Sequence, residues 1–138
     1  MFLGETTRRV LFRYLFDIRH RKMVKNCFRS NQTRKFQIGN GRNVLKGWLN
    51  TDGDTSLSKE KVFINAQKKF PFDVSTFDYI FCEHFIEHLD SWDGLRFVQE
   101  CYRVLKPGGT LRISTPDLRF LIELFTENKT ELQQRYII

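Results

Sequence analysis

The chain has 138 residues, 41% of them hydrophobic, with fourteen phenylalanines and a formal net charge of +7. This length and composition suit one packed domain and exclude a disordered polyelectrolyte. No apolar run is long enough to span a membrane, and the Arg-rich start lacks the apolar core of a signal peptide. Cys27, Cys82 and Cys101 are odd in number and outside any C-x-x-C spacing. They predict reduced, buried thiols in a cytoplasmic protein.

From Thr6 or Thr7, either of which can cap, the apolar spacing predicts a helix to about Phe28. Val10, Leu11, Tyr14, Leu15 and Ile18 form its wide apolar face, and arginines fill much of the rest. Charge gathers here: residues 1–35 hold ten Lys or Arg against Glu5 and Asp17, whereas the remainder holds 13 basic and 14 acidic residues. The chain therefore divides into a basic N-terminal helical extension, 1–35, and a near-neutral unit, 36–138. Three roles for the extension stand open. It can pack on the domain, lie on an anionic membrane surface as a peripheral anchor, or dock to nucleic acid or another acidic partner.

Ser30 to Lys35 is polar and reads as a linker. Phe36-Gln37-Ile38 then predicts a short strand running into Gly39-Asn40-Gly41, where missing Cβ atoms let the backbone turn sharply and approach a ligand. Alone, G-x-G is a weak signal. Trp48 to Asp52 is a second strand ending in an acid, the position that holds ribose hydroxyls in dinucleotide folds. Lys61 to Asn65 is a third. Only about nine residues separate the first strand from the second, short for a crossover helix. That leaves part of one sheet face bare and favours the packing role for the N-terminal helix.

Phe77 to Cys82 is an apolar run rich in aromatic and β-branched residues, a strand buried on both faces. It ends at Glu83 and His84. From Ser91 to Leu105 the apolar period becomes helical, with Leu95, Val98, Tyr102 and Leu105 in one stripe. Asp90 or Ser91 caps the start, Pro107-Gly108-Gly109 stops the helix, and Thr110 to Ser114 alternates as another strand. Strand, helix, strand in about forty residues is a right-handed parallel crossover. Its ligands belong beyond the carboxyl ends of the strands, at Glu83, His84 and Thr115-Pro116-Asp117. Thr115 and Pro116 predict the cap and first position of a further helix carrying Leu118, Leu121, Ile122 and Phe125. Beyond Asn128 the pattern fades.

A helical turn starting at His84 would stack His84 on His88. His84 to His88 also reads H-x-x-E-H, a zinc-protease pattern. That pattern needs a longer helix and a third ligand, and here it directly follows a buried strand, so no metal is assigned.

The segments FDYIFCEHFIEHL and YRVLKPGGTLRISTPD closely resemble class I S-adenosylmethionine-dependent methyltransferases, particularly the type-11-like group. The LKPGG turn before a strand is the most specific element, and the resemblance runs from about Phe36 to Leu118. It implies a three-layer, Rossmann-like α/β fold with a mostly parallel sheet ordered 3-2-1-4-5. It also implies S-adenosylmethionine as cofactor, held by Gly39, Asn40, Gly41, Asp52 and Asn65, with His84 and Glu83 as catalytic groups facing an unidentified acceptor. Asp52 would take the ribose, and Asn65, where the family often has Asp, the adenine amino group. The chain departs from the pattern at Gln37, where an acid is usual, and at Asn43, where a third glycine would stand. Two strands that normally follow the last helix are missing. A fragment, or a minimal form whose open sheet edge is covered by a second copy, is therefore expected. The alternative function is a non-catalytic module that binds the cofactor or a partner.

Overall fold

A computed structural model describes the backbone of residues 5–54 and 60–137, and side chains from residue 18 onward within that range. Helix α1 spans Glu5–Ser30, followed by strands β1 (Lys35–Ile38), β2 (Leu49–Asp52) and β3 (Val62–Phe63). Strand β4 (Phe77–Glu83) leads through a 3-10 turn at Ile86–His88 to α2 (Ser91–Val104). Then come β5 (Leu105–Ser114), α3 (Leu118–Glu123) and α4 (Glu131–Ile137). All strand pairs are parallel, and the order is β3-β2-β1-β4-β5. This is the expected Rossmann-like α/β arrangement. No described helix is long and apolar enough to cross a membrane.

The register sorts side chains between the two faces, because successive residues of a strand alternate. On one face Phe36 aligns with Leu49 and Ile80, and Ile38 with Thr51 and Cys82. Against them pack Phe97, Cys101 and Val104 of α2, Phe70 of the β3–β4 connection, and Met23, Val24, Cys27 and Phe28 of α1. The β3–β4 connection has no helix of its own. Part of α1 fills that place, with the Phe28 ring edge-on to Phe77 at 5.6 Å. The last third of the basic helix is thus a core element.

The opposite face carries Lys35, Gln37, Asn50, Tyr79, Phe81, Thr110 and Arg112. The β1–β2 loop folds back over part of it. Asn50 holds Leu45 by its main chain, accepting from the N–H at 2.9 Å and donating to the carbonyl at 3.0 Å. Gln37 is buried beneath. Tyr79, Thr110 and Arg112 stay exposed.

Of the two expected caps, Asp90 is the one that caps α2, accepting from the Asp93 N–H at 2.8 Å. Other boundaries differ from expectation. The Pro-Gly-Gly turn lies inside β5, since Leu105 already pairs with Phe77 and the next pair is Thr110 with Tyr79. The intervening residues form a bulge, which permits a turn without ending the strand. Asp117, not Thr115, caps α3, its Oδ1 accepting from the Arg119 N–H at 2.9 Å. A carboxylate is the better acceptor at a positive helix start. Helix α4 was missed although Thr130-x-x-Gln133 is a capping box. The Thr130 N–H donates to Gln133 Oε1 at 2.7 Å, and the Gln133 N–H returns to Thr130 Oγ1 at 3.3 Å.

Candidate cofactor and acceptor site

A cavity of about 420 Å³ opens at the carboxyl ends of β1, β2 and β3, lined by Gly39, Asp52, Asn65, Phe85, His88 and Leu89 among others. A larger cavity of about 1010 Å³ lies between α1 and the Lys69–Thr76 segment, away from the strand ends. The smaller one sits where an open parallel sheet binds ligands.

Asp52 is the pivot of this cleft. Its Oδ2 accepts from the Gly41 N–H at 2.7 Å and its Oδ1 from the Asp54 N–H at 2.8 Å. Each oxygen keeps lone-pair capacity for a hydroxyl donor. Lys61, almost wholly buried, lies 4.0 Å from Oδ2 and balances the charge. Nothing in the sequence singled out Lys61, because a lysine in a strand reads as solvated. Asn65 Oδ1 accepts from the Gln67 N–H at 3.0 Å, so the carbonyl expected to meet an adenine amino group already has one donor.

The glycine turn works differently from a bare ligand cradle. Gly39 has φ +65°, and a Cβ there would meet the Phe85 ring at 3.1 Å. Its missing side chain makes room for Phe85. Gly41, at φ +52°, has open space where a Cβ would stand. Asn40 is buried and faces inward, donating Nδ2–H to the Asn43 carbonyl at 3.0 Å. Among the described residues, its Oδ1 and the Oε1 of Gln37 are buried with no hydrogen-bond partner.

At the end of β4, the Glu83–Ser114 pair closes the strand register, and the His84 N–H donates to the Ser114 carbonyl at 2.9 Å. His84 takes φ +49°, so the chain swings outward before the 3-10 turn starts at Ile86. His84 and His88 are therefore not helical partners. His84 Nδ1 lies 3.3 Å from Glu87 Oε1, with the imidazole exposed. His88 lines the cleft at the strand ends with Phe85 and Leu89. The apolar residues of HFIEHL, directly after a buried strand, were the available signal. Among the described residues, no group of three or more His, Cys, Asp or Glu is placed to hold a metal.

A parallel sheet in this order, with a glycine turn after its central strand and an acid closing the next, is a Rossmann-like α/β arrangement, whose ligands bind beyond the strand ends. Residues 49–113 match the family model described as a methyltransferase domain. A probable S-adenosylmethionine-dependent methyltransferase of Mycolicibacterium smegmatis is 43% identical over 49 residues, covering 36% of this chain and 18% of that protein. Among solved structures, a SAM-dependent methyltransferase from Archaeoglobus fulgidus aligns with TM-score 0.53 at 17% identity, over 88% of this chain and 66% of that one. A protein from Pyrococcus horikoshii OT3 aligns with TM-score 0.51 at 18% identity, over 79% of this chain and 57% of that one. The matched segment is that of a methyltransferase domain, and the sheet order is that of the class I S-adenosylmethionine-dependent methyltransferase fold, a class whose cofactor is S-adenosylmethionine. It spans less than two thirds of the length of these relatives.

The cleft suits such a cofactor. Asp52 offers a fixed carboxylate to vicinal hydroxyls, and Ile64, Ala66, Phe85 and Leu89 offer apolar walls to a flat base.

Proposed function

We propose that this chain transfers a methyl group from S-adenosylmethionine to an acceptor with a removable proton, bound beyond β4 and β5. The observation supporting this most directly is the Asp52 carboxylate, held by two backbone N–H groups at the mouth of the cleft. In this reading Asp52 takes the ribose hydroxyls and Asn65 the adenine amino group. Gly39 and Gly41 bring main chain close to the cofactor, while Asn40 holds their turn.

When bound, the cofactor supplies an electrophilic methyl on a sulfonium whose leaving group is a neutral thioether. The protein's remaining work is positioning and proton removal. His84 is the base in this reading. Glu87 accepts the Nδ1 proton and leaves Nε2 free toward solvent and acceptor. Glu83, one residue earlier, is the alternative acceptor-facing carboxylate. In this reading residues 36–138 form the catalytic unit, and the basic extension of residues 1–35 braces it through the C-terminal part of α1.

Calorimetric titration with S-adenosylhomocysteine tests the cofactor half directly. Saturable binding is expected, and Asp52→Ala should weaken it roughly tenfold or more, the worth of a hydrogen bond to a charged group. A folded chain that takes up no ligand overturns the reading. His84→Gln should leave that affinity unchanged while lowering turnover once an acceptor is in hand.

A further inference from the structure

The sheet face opposite α2 is unlike the apolar surface a covering helix would bury. Across it the register sets Lys35 beside Tyr79 and Thr110, and one step on Gln37 beside Phe81 and Arg112. Arg112 stands over the Phe81 ring at 5.3 Å, and Lys35 over the Trp48 ring at 5.7 Å. Trp48 meets Phe81 edge-on at 6.2 Å. Lys35, Trp48, Phe81 and Arg112 thus form one chain of cation–ring and ring–ring contacts across the face. Tyr79, in register with Lys35, is 45% exposed.

The charge in the first two strands and the loop between them is basic. Residues 31–51 contain four Lys or Arg and no Asp or Glu. Of these, Arg42 and Lys46 are exposed on the loop crossing this face. The acids bordering it are engaged: Asp52 by the Gly41 and Asp54 N–H groups, and Asp78, next to Tyr79, by Lys106 and the Arg34 N–H. A second copy laid on this face would set lysine and arginine against lysine and arginine. A polyanion with flat rings meets both features at once, since its phosphates pair with the cations and its bases stack on the aromatic side chains.

We propose that this face is a docking platform for single-stranded nucleic acid, with Tyr79 and Phe81 stacking bases and Lys35 and Arg112 contacting phosphates. A duplex keeps its base faces stacked inside and cannot use the rings. The surface lies on a different part of the sheet from the cofactor cleft and does not depend on methyl transfer.

Fluorescence anisotropy of a labelled single-stranded oligouridine, with the full chain at two salt concentrations, tests the proposal. Saturable binding is expected, weakening on the order of tenfold or more from about 50 to about 200 mM salt as phosphate contacts are screened. Tyr79→Ser should cost roughly tenfold. Arg112→Gln should lower affinity and flatten the salt dependence. Both side chains are exposed, and unchanged circular dichroism certifies the fold. A duplex bound as tightly as the single strand overturns the platform, as does affinity indifferent to Tyr79→Ser. Binding abolished by Lys22→Glu with Lys25→Glu, yet untouched by Tyr79→Ser, would move the contact to α1. Phosphatidylserine vesicles bound in preference to the oligonucleotide would assign the cations to a membrane surface and sink the nucleic-acid reading.

Discussion

Gly39 and Gly41 share a left-handed backbone but not a reason for it. At Gly39 a Cβ would press on Cβ, Cγ and Cδ2 of Phe85 at 3.1–3.2 Å, and φ is +65°. A left-handed L-residue costs about 1–2 kcal/mol, and crowding adds to that. Gly39→Ala should therefore destabilise the chain by about 2 kcal/mol or more in urea denaturation. Wild-type stability in Gly39→Ala would show that the turn is not built as described. At Gly41 the space is open. Gly41→Asn, a residue that tolerates this conformation, should cost little and keep the N–H that holds Asp52.

Among the elements, α2 and the β3–β4 connection are joined by one ion pair that also serves as a hydrogen-bond clamp. Arg103 donates to both Glu100 oxygens, at 2.9 and 2.6 Å, and to the carbonyls of Phe72 and Phe70, at 2.8 and 3.1 Å. Glu100 in turn accepts from the Phe70 N–H at 2.8 Å. The clamp seats Phe70 and Phe72 against Phe36, which lies 5.7 and 5.3 Å from them. The Arg103 guanidinium, helped by the Phe70 N–H, holds the Glu100 carboxyl below its ordinary value of 4.5. Asp78 is lowered too, first by Lys106 and then by the Arg34 N–H. Both groups bind protons more readily unfolded than folded. Their stabilisation is present above the ordinary carboxylate range and lost as pH falls through the lowered folded values. Melting temperatures from pH 7 to about pH 3 should fall most steeply below about pH 4.5. Glu100→Gln should lower stability at pH 7 by about 1.5–3 kcal/mol and flatten the acid limb. An acid limb unchanged by Glu100→Gln would place the titrating group elsewhere.

For the whole molecule, the parallel β4–α2–β5 crossover was legible in the residues, whereas the 3-2-1-4-5 order was implied by the resemblance that the LKPGG turn and its flanking segments carry. Asp52 was legible from its place at the end of β2. Lys61, Phe85 and His88 were not, since each reaches the cleft through tertiary packing that local periodicity does not encode. The three free cysteines probe that packing from three elements: Cys27 on α1, Cys82 in β4 and Cys101 in α2. Burial raises all three thiols above their ordinary value; Cys82 is pushed up to about 12 and Cys101 lies higher still. Cys27 is raised against a lowering contact from the Asn31 amide, and it is only half-buried. Because the thiolate is the reactive form, iodoacetamide near pH 8 should modify Cys27 first. Cys82 and Cys101 should follow together, and only as fast as the molecule opens globally. Added urea should therefore speed the second pair steeply and Cys27 much less. If Cys27 instead labels only with the pair, α1 is bound as firmly as the sheet and unfolds with it. If Cys101 labels as fast as Cys27 without denaturant, the interface between α2 and the sheet is open and the core is not the one formed around Phe36, Ile80 and Phe97.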